Sequence, residues 1–208
     1  MIEELKIFLK NIKWRKMNKH NYTVMRSLFP LENVVVGKET YGDLKIICYN
    51  PELHIKIGAY CSLANEVTFL MGGEHNYKCI STYPFFSRVY RKSETLNINK
   101  NNDKKDIIIE DDVWIGYGAL IFPGVKIGKG SVIGARSIVL KDVPAYSVYV
   151  GTNIVSQRFP KEILDELEKI DFAEITHKSG DAYEKYCKTE ININNFGEIY
   201  NTFVNEKR

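Results

Sequence analysis

The chain has 208 residues, 44% hydrophobic and 26% charged, with a formal net charge of +3. That balance describes one globular domain of ordinary size with room for a small appendage, and it excludes a disordered chain. So small a charge excess, with no basic stripe interleaved with aromatics in the central region, argues against nucleic acid as a partner.

Residues 1 to 20 open the chain as an amphipathic basic helix, with Ile2, Leu5, Phe8, Leu9 and Ile12 set among Lys6, Lys10, Lys13, Arg15, Lys16 and Lys19. The first twenty residues lack the uninterrupted apolar core and small-residue cleavage site of a secretory signal. No apolar run is long enough to span a bilayer. The four cysteines, Cys48, Cys61, Cys79 and Cys187, show no C-x-x-C spacing and so suggest neither a zinc site nor a redox pair. Reduced thiols in the cytoplasm are the simplest reading.

Residues 22 to 56 are mixed strands and turns that lead into a repeat. Ile57, Leu63 and Phe69 recur at a period of six, with Cys61, Val67 and Gly73 four places on. From residue 109 the same rule runs without a gap through Ile109, Ile115, Ile121, Ile127, Ile133 and Val139. Val113, Ala119, Val125, Ser131, Ser137 and Val143 follow at the fourth place. Neither a helix nor a single strand produces this period. A triangular coil does, with a short strand on each side and a tight turn at each corner. The aliphatic residues fill the interior, the small ones sit at crowded corners, and Gly116, Gly128 and Gly134 are expected to supply turn dihedrals.

The two runs are out of phase, so residues 72 to 106 must leave the coil and return. Their polar stretch, Asn97 to Lys105, reads as flexible, and a long loop that interrupts a rigid solenoid is where function is expected. Beyond Pro160, Ile163, Leu167 and Ile170 mark a short amphipathic helix, followed by Asn- and Tyr-rich sequence. The expected organisation is an N-terminal helix at 1–20, a mainly β, left-handed parallel β-helix at 21–155 with its loop at 72–106, and a helical cap or tail at 156–208. Open solenoid ends expose strand edges, and terminal segments commonly cover them. The N-terminal helix could do this or rest on an anionic membrane surface. Capping is the safer reading, because weak surface binding usually needs a second anchor.

Hexapeptide coils interrupted by a loop carrying Gly72-Gly73-Glu74-His75 and Ser81-Thr82-Tyr83-Pro84-Phe85 resemble the xenobiotic acetyltransferases. That group includes chloramphenicol and streptogramin acetyltransferases and many sugar O-acetyltransferases. Asp112-Val113-Trp114-Ile115-Gly116, Pro123-Gly124-Val125-Lys126-Ile127-Gly128 and Lys141-Asp142-Val143-Pro144-Ala145-Tyr146 extend the likeness over roughly residues 55 to 150. The resemblance implies a homotrimer with an active site in each cleft between subunits, acetyl-CoA as co-substrate, and His75 as the base. It places Trp114, Gly116, Tyr117, Gly118, Ala135 and Ser137 along the pantetheine, and Lys141 and Arg158 near the phosphates and adenine. Glu74, Tyr83 and Phe85 fall beside the acceptor. After the last coil the group usually has Gly-Asn-Pro-Ala and a basic tail, whereas this chain has Gly151-Thr152-Asn153-Ile154, with Arg158 alone of the basic cluster.

The chemistry fits these residues. A thioester is already activated, so the difficulty lies in a hydroxyl that attacks poorly until its proton is removed. Histidine can take that proton near neutral pH. No metal or covalent enzyme intermediate is required. A lone loop histidine is ordinarily a surface or packing residue; the motifs on either side of His75 distinguish it from His20, His54 and His177. Trp114 could equally be interface packing, Lys141 a solvated corner residue, and Cys61 and Cys79 small hydrophobes.

The leading function is O-acetylation of a sugar in a bacterial surface glycan, and acetylation of an antibiotic is the alternative. A γ-carbonic-anhydrase-like site needs three histidines around zinc, and residues 76 to 176 contain none. A catalytically silent scaffold is the remaining class, and it predicts no acetyl-CoA binding.

Overall fold

The computed structural model describes residues 2–73, 75, 77–90, 106–172 and 188–205. Helix α1 (Ile2–Met17) precedes β1 (Tyr22–Met25), a 3-10 turn at Leu31–Asn33, β2 (Val34–Val36) and β3 (Tyr41–Cys48). Strands β4 (Ile55–Ile57), β5 (Ser62–Leu63) and β6 (Thr68–Met71) follow, then α2 (Phe85–Arg88) in the excursion. The coil resumes with β7 (Ile107–Ile109), β8 (Trp114–Ile115), β9 (Leu120–Ile121), β10 (Lys126–Ile127), β11 (Val132–Ile133) and β12 (Ile138–Val139). It ends in β13 (Ser147–Val150) and β14 (Asn153–Gln157), before α3 (Lys161–Leu167) and α4 (Phe196–Asn205).

These strands stack in three ladders, one per side of a prism. The first face is β2, β4, β7 and β10; the second is the start of β3 with β5, β8, β11 and β13; the third is the end of β3 with β6, β9 and β12. Pairing among the described strands is parallel except in the β13–β14 hairpin. The molecule is a mainly β, parallel β-helix.

The six-residue period has its physical cause in this geometry. Each aliphatic position points inward and stacks on its counterpart in the next coil. Ile57, Ile109 and Ile127 stack on the first face, and Leu63, Ile115, Ile133 and Tyr149 on the second. Ile46, Phe69, Ile121 and Val139 stack on the third, and all of these side chains are buried. The column is continuous, so burial of apolar area accumulates coil by coil.

The glycines that follow the aliphatic positions act differently from expectation. Gly116 and Gly128 do not adopt left-handed dihedrals. Instead, a Cβ on Gly116 would lie 2.7 Å from the Ala135 nitrogen, and one on Gly128 would lie 2.4 Å from that of Ala145. They are required because the next coil's backbone passes too close for a side chain. The left-handed corners fall instead on Tyr60, Glu66, Asp112, Arg136 and Tyr146, as well as on other glycines.

The excursion does not break the ladder. Ile57 pairs directly with Ile109, so the whole excursion is contained within a single coil, whereas the next coil, from Ile109 to Ile127, is three plain hexapeptides. Before it the spacing is also irregular: Val36 pairs with Ile57 and Ile46 with Phe69, at sequence separations that six does not divide.

Both ends are covered. Helix α1 docks by one face, where buried Trp14 donates from Nε1 to Thr23 Oγ1 at 3.0 Å. Arg15 donates to the carbonyls of Asn21 and Thr23, and Asn11 Oδ1 accepts the Met25 N–H at 3.0 Å. At the other end Ile163, Leu167, Ile170 and Phe196 form a second core around Tyr146. No described helix is long and apolar enough to cross a membrane.

Candidate active site

The prism has three columns of corners, and the loop bearing His75 leaves from the third, between the third and first faces. At that corner Gly72 and Gly73 have φ of +83° and +102°, and Gly124, one coil on, repeats the turn with φ +80° behind Pro123. Cys48 pairs with Met71, which brings Tyr49 and Asn50 against the departing chain. A Cβ on Gly73 would lie 2.4 Å from Tyr49 Cδ2, and one on Gly72 would lie 3.0 Å from Asn50 Cβ. These two glycines allow the chain to turn outward over the Tyr49 ring.

Two residues on, His75 is exposed, and its Nδ1 lies 2.5 Å from the Thr82 carbonyl oxygen. A carbonyl can only accept, so Nδ1 carries the proton and Nε2 is the acceptor nitrogen. Tyr83 and Phe85 meet edge to face at 4.9 Å beside that carbonyl, and together with Tyr77 they are exposed aromatics of the same excursion. Glu74 and the stretch from Asn97 to Lys105 lie outside the described residues.

Lys141 is exposed at the same corner column: the pairing of Phe69 with Ile121 and of Ile121 with Val139 carries it two coils beyond Met71. At one strand spacing per coil the separation is about 10 Å.

Trp114 stands on the second face, opposite this corner. It is exposed and lies in an outward ladder of Tyr41, Ser62, Trp114, Val132 and Val148. Tyr117, Gly118 and Ala135 follow at the second corner, where Arg136 stacks on the Tyr117 ring at 4.8 Å. Gly116 is buried beneath Ala135. Ser137 is fully buried, and its Oγ accepts the Gly151 N–H at 3.1 Å.

Arg158 is at the remaining, first corner and is committed within the chain. Its guanidinium donates to the Gly130 carbonyl at 2.5 Å, lies 3.7 Å from Asp112 Oδ2, and stacks over Tyr146 and Phe159. Burial pushes the Asp112 carboxyl up to about 6, against the opposing pull of Arg158. Cys61 is buried with its thiol pushed up to about 12, chiefly by desolvation, which suits packing and not nucleophilic attack.

One chain therefore gathers His75, Tyr83, Phe85 and Lys141 at or beside one corner column, and carries Trp114 and Tyr117 on the far side of the prism. Sequence reading missed three residues that contact this candidate site. Tyr49 is visible only through the pairing of Cys48 with Met71. Thr82 acts through a backbone carbonyl, which no residue pattern reports. Arg136 is found only by its stacking on Tyr117.

A parallel β-helix of hexapeptide coils, interrupted at one corner by a loop that anchors a histidine, defines a class of coil-built transferases. The family model "Bacterial transferase hexapeptide (six repeats)" matches residues 106–141. A probable macrolide acetyltransferase of Lysinibacillus sphaericus is 40% identical over 121 residues, 56% of this chain and 67% of that one. A chloramphenicol acetyltransferase of Escherichia coli is 36% identical over 115 residues, 53% of this chain and 55% of the relative. The matched region thus spans little more than half of such chloramphenicol acetyltransferases. A hexapeptide-repeat acetyltransferase from Vibrio cholerae shares the fold, with a TM-score of 0.51, 23% identity, and coverage of 74% of this chain and 82% of that one. The chain belongs to the hexapeptide-repeat acetyltransferase family.

Proposed function

We propose that the chain is an acetyl-CoA-dependent O-acetyltransferase acting on a sugar hydroxyl of a bacterial surface polysaccharide, capsule or O-antigen, or of its precursor. His75 is the general base. The observation that carries this reading is the anchoring of His75 Nδ1 on the Thr82 carbonyl, which turns the other ring nitrogen into a base. Acetyl-CoA, as co-substrate, supplies an acyl group that is already activated.

Nε2 takes the acceptor proton as the hydroxyl oxygen attacks the thioester carbonyl. The Thr82 carbonyl holds the ring in place through Nδ1–H, and the proton on Nε2 then passes to the departing CoA sulfur. Assistance of this kind is worth roughly 10²–10⁴-fold. Tyr77, Tyr83 and Phe85 offer flat apolar faces on an open surface, suited to the C–H faces of a sugar ring on a long glycan.

The base and Trp114 stand on opposite sides of one prism, and this supports a homotrimer in which a neighbouring chain completes each site. We take the β-helix to be left-handed and the protein to work in the cytoplasm, with residues 21–155 as the transferase unit, 1–20 as its N-terminal helix and 156–208 as its C-terminal cap. Trp114, Tyr117, Gly118 and Ala135 would line the pantetheine, and Lys141 would meet a CoA phosphate. Gly116 and Ser137 would shape that groove from within, and Arg158 would lie toward its adenine end. The names of the curated relatives favour a second acceptor class, hydroxyl-bearing antibiotics.

The test is transfer of labelled acetyl from acetyl-CoA into polymer, lipid-linked, nucleotide-sugar and antibiotic pools, comparing the native chain with His75→Ala. Label entering one glycan pool, and falling at least about a hundredfold in the variant, is the expected result. Label entering only the drugs transfers the activity to the second class. Label surviving the substitution removes His75 as the base.

A further inference from the structure

We infer that α1 is a docking face for an anionic lipid surface, a property that does not depend on the transferase reading. The helix has two apolar sides. One is consumed by the fold: Ile7, Asn11, Trp14 and Arg15 lie against the first coil, and Trp14 is fully buried. The opposite arc carries Ile2, Leu5, Phe8, Leu9 and Ile12, each between 43% and 72% exposed. At 100° per residue these five side chains fall within about a third of the helix circumference, a continuous apolar strip along three turns. Nothing else in the described chain covers it, and it points away from the coil that Trp14 caps.

Charge decides what the strip fits. Lys6 and Lys13 run along one flank and Lys16 closes its C-terminal end, all exposed, while Lys10 on the same side reaches back to the Phe29 carbonyl at 3.4 Å. The helix holds five cations and two carboxylates, leaving 24 cations and 24 carboxylates in the rest of the chain. The whole positive excess of the protein is thus gathered on this helix. A second copy of the strip is a poor occupant in the antiparallel sense, because that contact would bring the lysine flanks together. An anionic bilayer suits both parts. The apolar side chains enter the headgroup boundary while the lysine stems lie along it and their ammonium groups reach the phosphates. Each lysine held at such a surface strengthens partition by roughly fivefold, so the attachment is reversible and sensitive to salt.

The experiment is co-sedimentation of the full chain with vesicles of phosphatidylcholine, alone or with about 30% phosphatidylglycerol. Binding should rise at least about tenfold with the anionic lipid and collapse in about 0.5 M salt. Phe8→Ser/Ile12→Ser and, separately, Lys6→Glu/Lys13→Glu should each reduce it at least about tenfold. Circular dichroism and thermal midpoint should be unchanged in both variants, since these side chains are exposed. Equal binding to both vesicle types, no binding to either, or binding indifferent to both double substitutions overturns the inference. A fall in molar mass by light scattering in Phe8→Ser/Ile12→Ser also overturns it, by showing that the strip lies between copies of the chain.

Discussion

Gly73→Ala tests whether the third corner positions His75, the proposed base. The alanine Cβ would fall 2.4 Å from Cδ2 and 2.8 Å from Cε2 of Tyr49, well inside contact, at a φ of +102°. The backbone cost of a side chain there is about 1–3 kcal/mol. The ring adds a separate cost, which it can escape because Tyr49 is largely exposed. Relief comes from turning the ring or from shifting the chain toward His75, two residues away. A displacement of about 1 Å at a reacting group costs on the order of 10² in rate. Gly73→Ala should therefore lower kcat about a hundredfold, while the thermal midpoint falls by only a few degrees because the corner lies outside the buried column. The assay is release of CoA thiol in the presence of the acceptor, read alongside thermal unfolding. Tyr49→Ala in the same chain removes the ring and should restore part of the lost rate, leaving the backbone contribution. If Gly73→Ala retains kcat within about threefold of the native chain, the corner does not set the position of His75 and the reasoning fails.

Three further outcomes follow from the same geometry. Asp112, raised from 3.8 to about 6 by burial, favours its protonated form in the folded chain, so it contributes stability below about pH 4 that is lost as pH rises through about 6. With the side chain 37% exposed, solvent screening limits the effect to about 1 kcal/mol; Asp112→Asn, which tolerates the left-handed corner, should flatten denaturant midpoints across that interval, and an unchanged slope would exclude Asp112 as its source. Phe69→Ala empties a stacked position between Ile46 and Ile121 and should cost about 3–5 kcal/mol in urea unfolding, whereas under 1 kcal/mol would mean the column repacks freely. Trp114→Ala should raise KM for acetyl-CoA about tenfold with stability within about 0.5 kcal/mol; an unchanged KM would remove it from the cofactor path.

The regular coils were legible because their physics repeats: each inward aliphatic meets the same kind of neighbour three hexapeptides away, and the period is written directly in Ile109 to Val139. The opening coils were not, because β3 carries on round the corner from one face to the next and its partners lie at separations that six does not divide, which hides the rhythm. The glycine positions were found, but Gly116 and Gly128 serve close approach and not a turn. At the site, the loop motif led to His75, whereas the group that anchors it is a backbone oxygen. Arg158 illustrates a complementary limit: sequence shows a cation near the last coil, and only the fold shows it paired within the chain to Gly130 and Asp112.

The direct pairing of Ile57 with Ile109 also bears on how such a protein can change over generations. The ladder closes beneath the excursion as if nothing had been inserted, so the segment above it can lengthen, shorten or be exchanged while every stacked side chain keeps its neighbour. Doubling a loop of this kind adds only about 0.6 kcal/mol to the entropy of closing it. Scaffold and excursion are thereby separated into two inheritable parts, and the excursion can be exchanged by recombination at residues 73 and 106 without renegotiating the core.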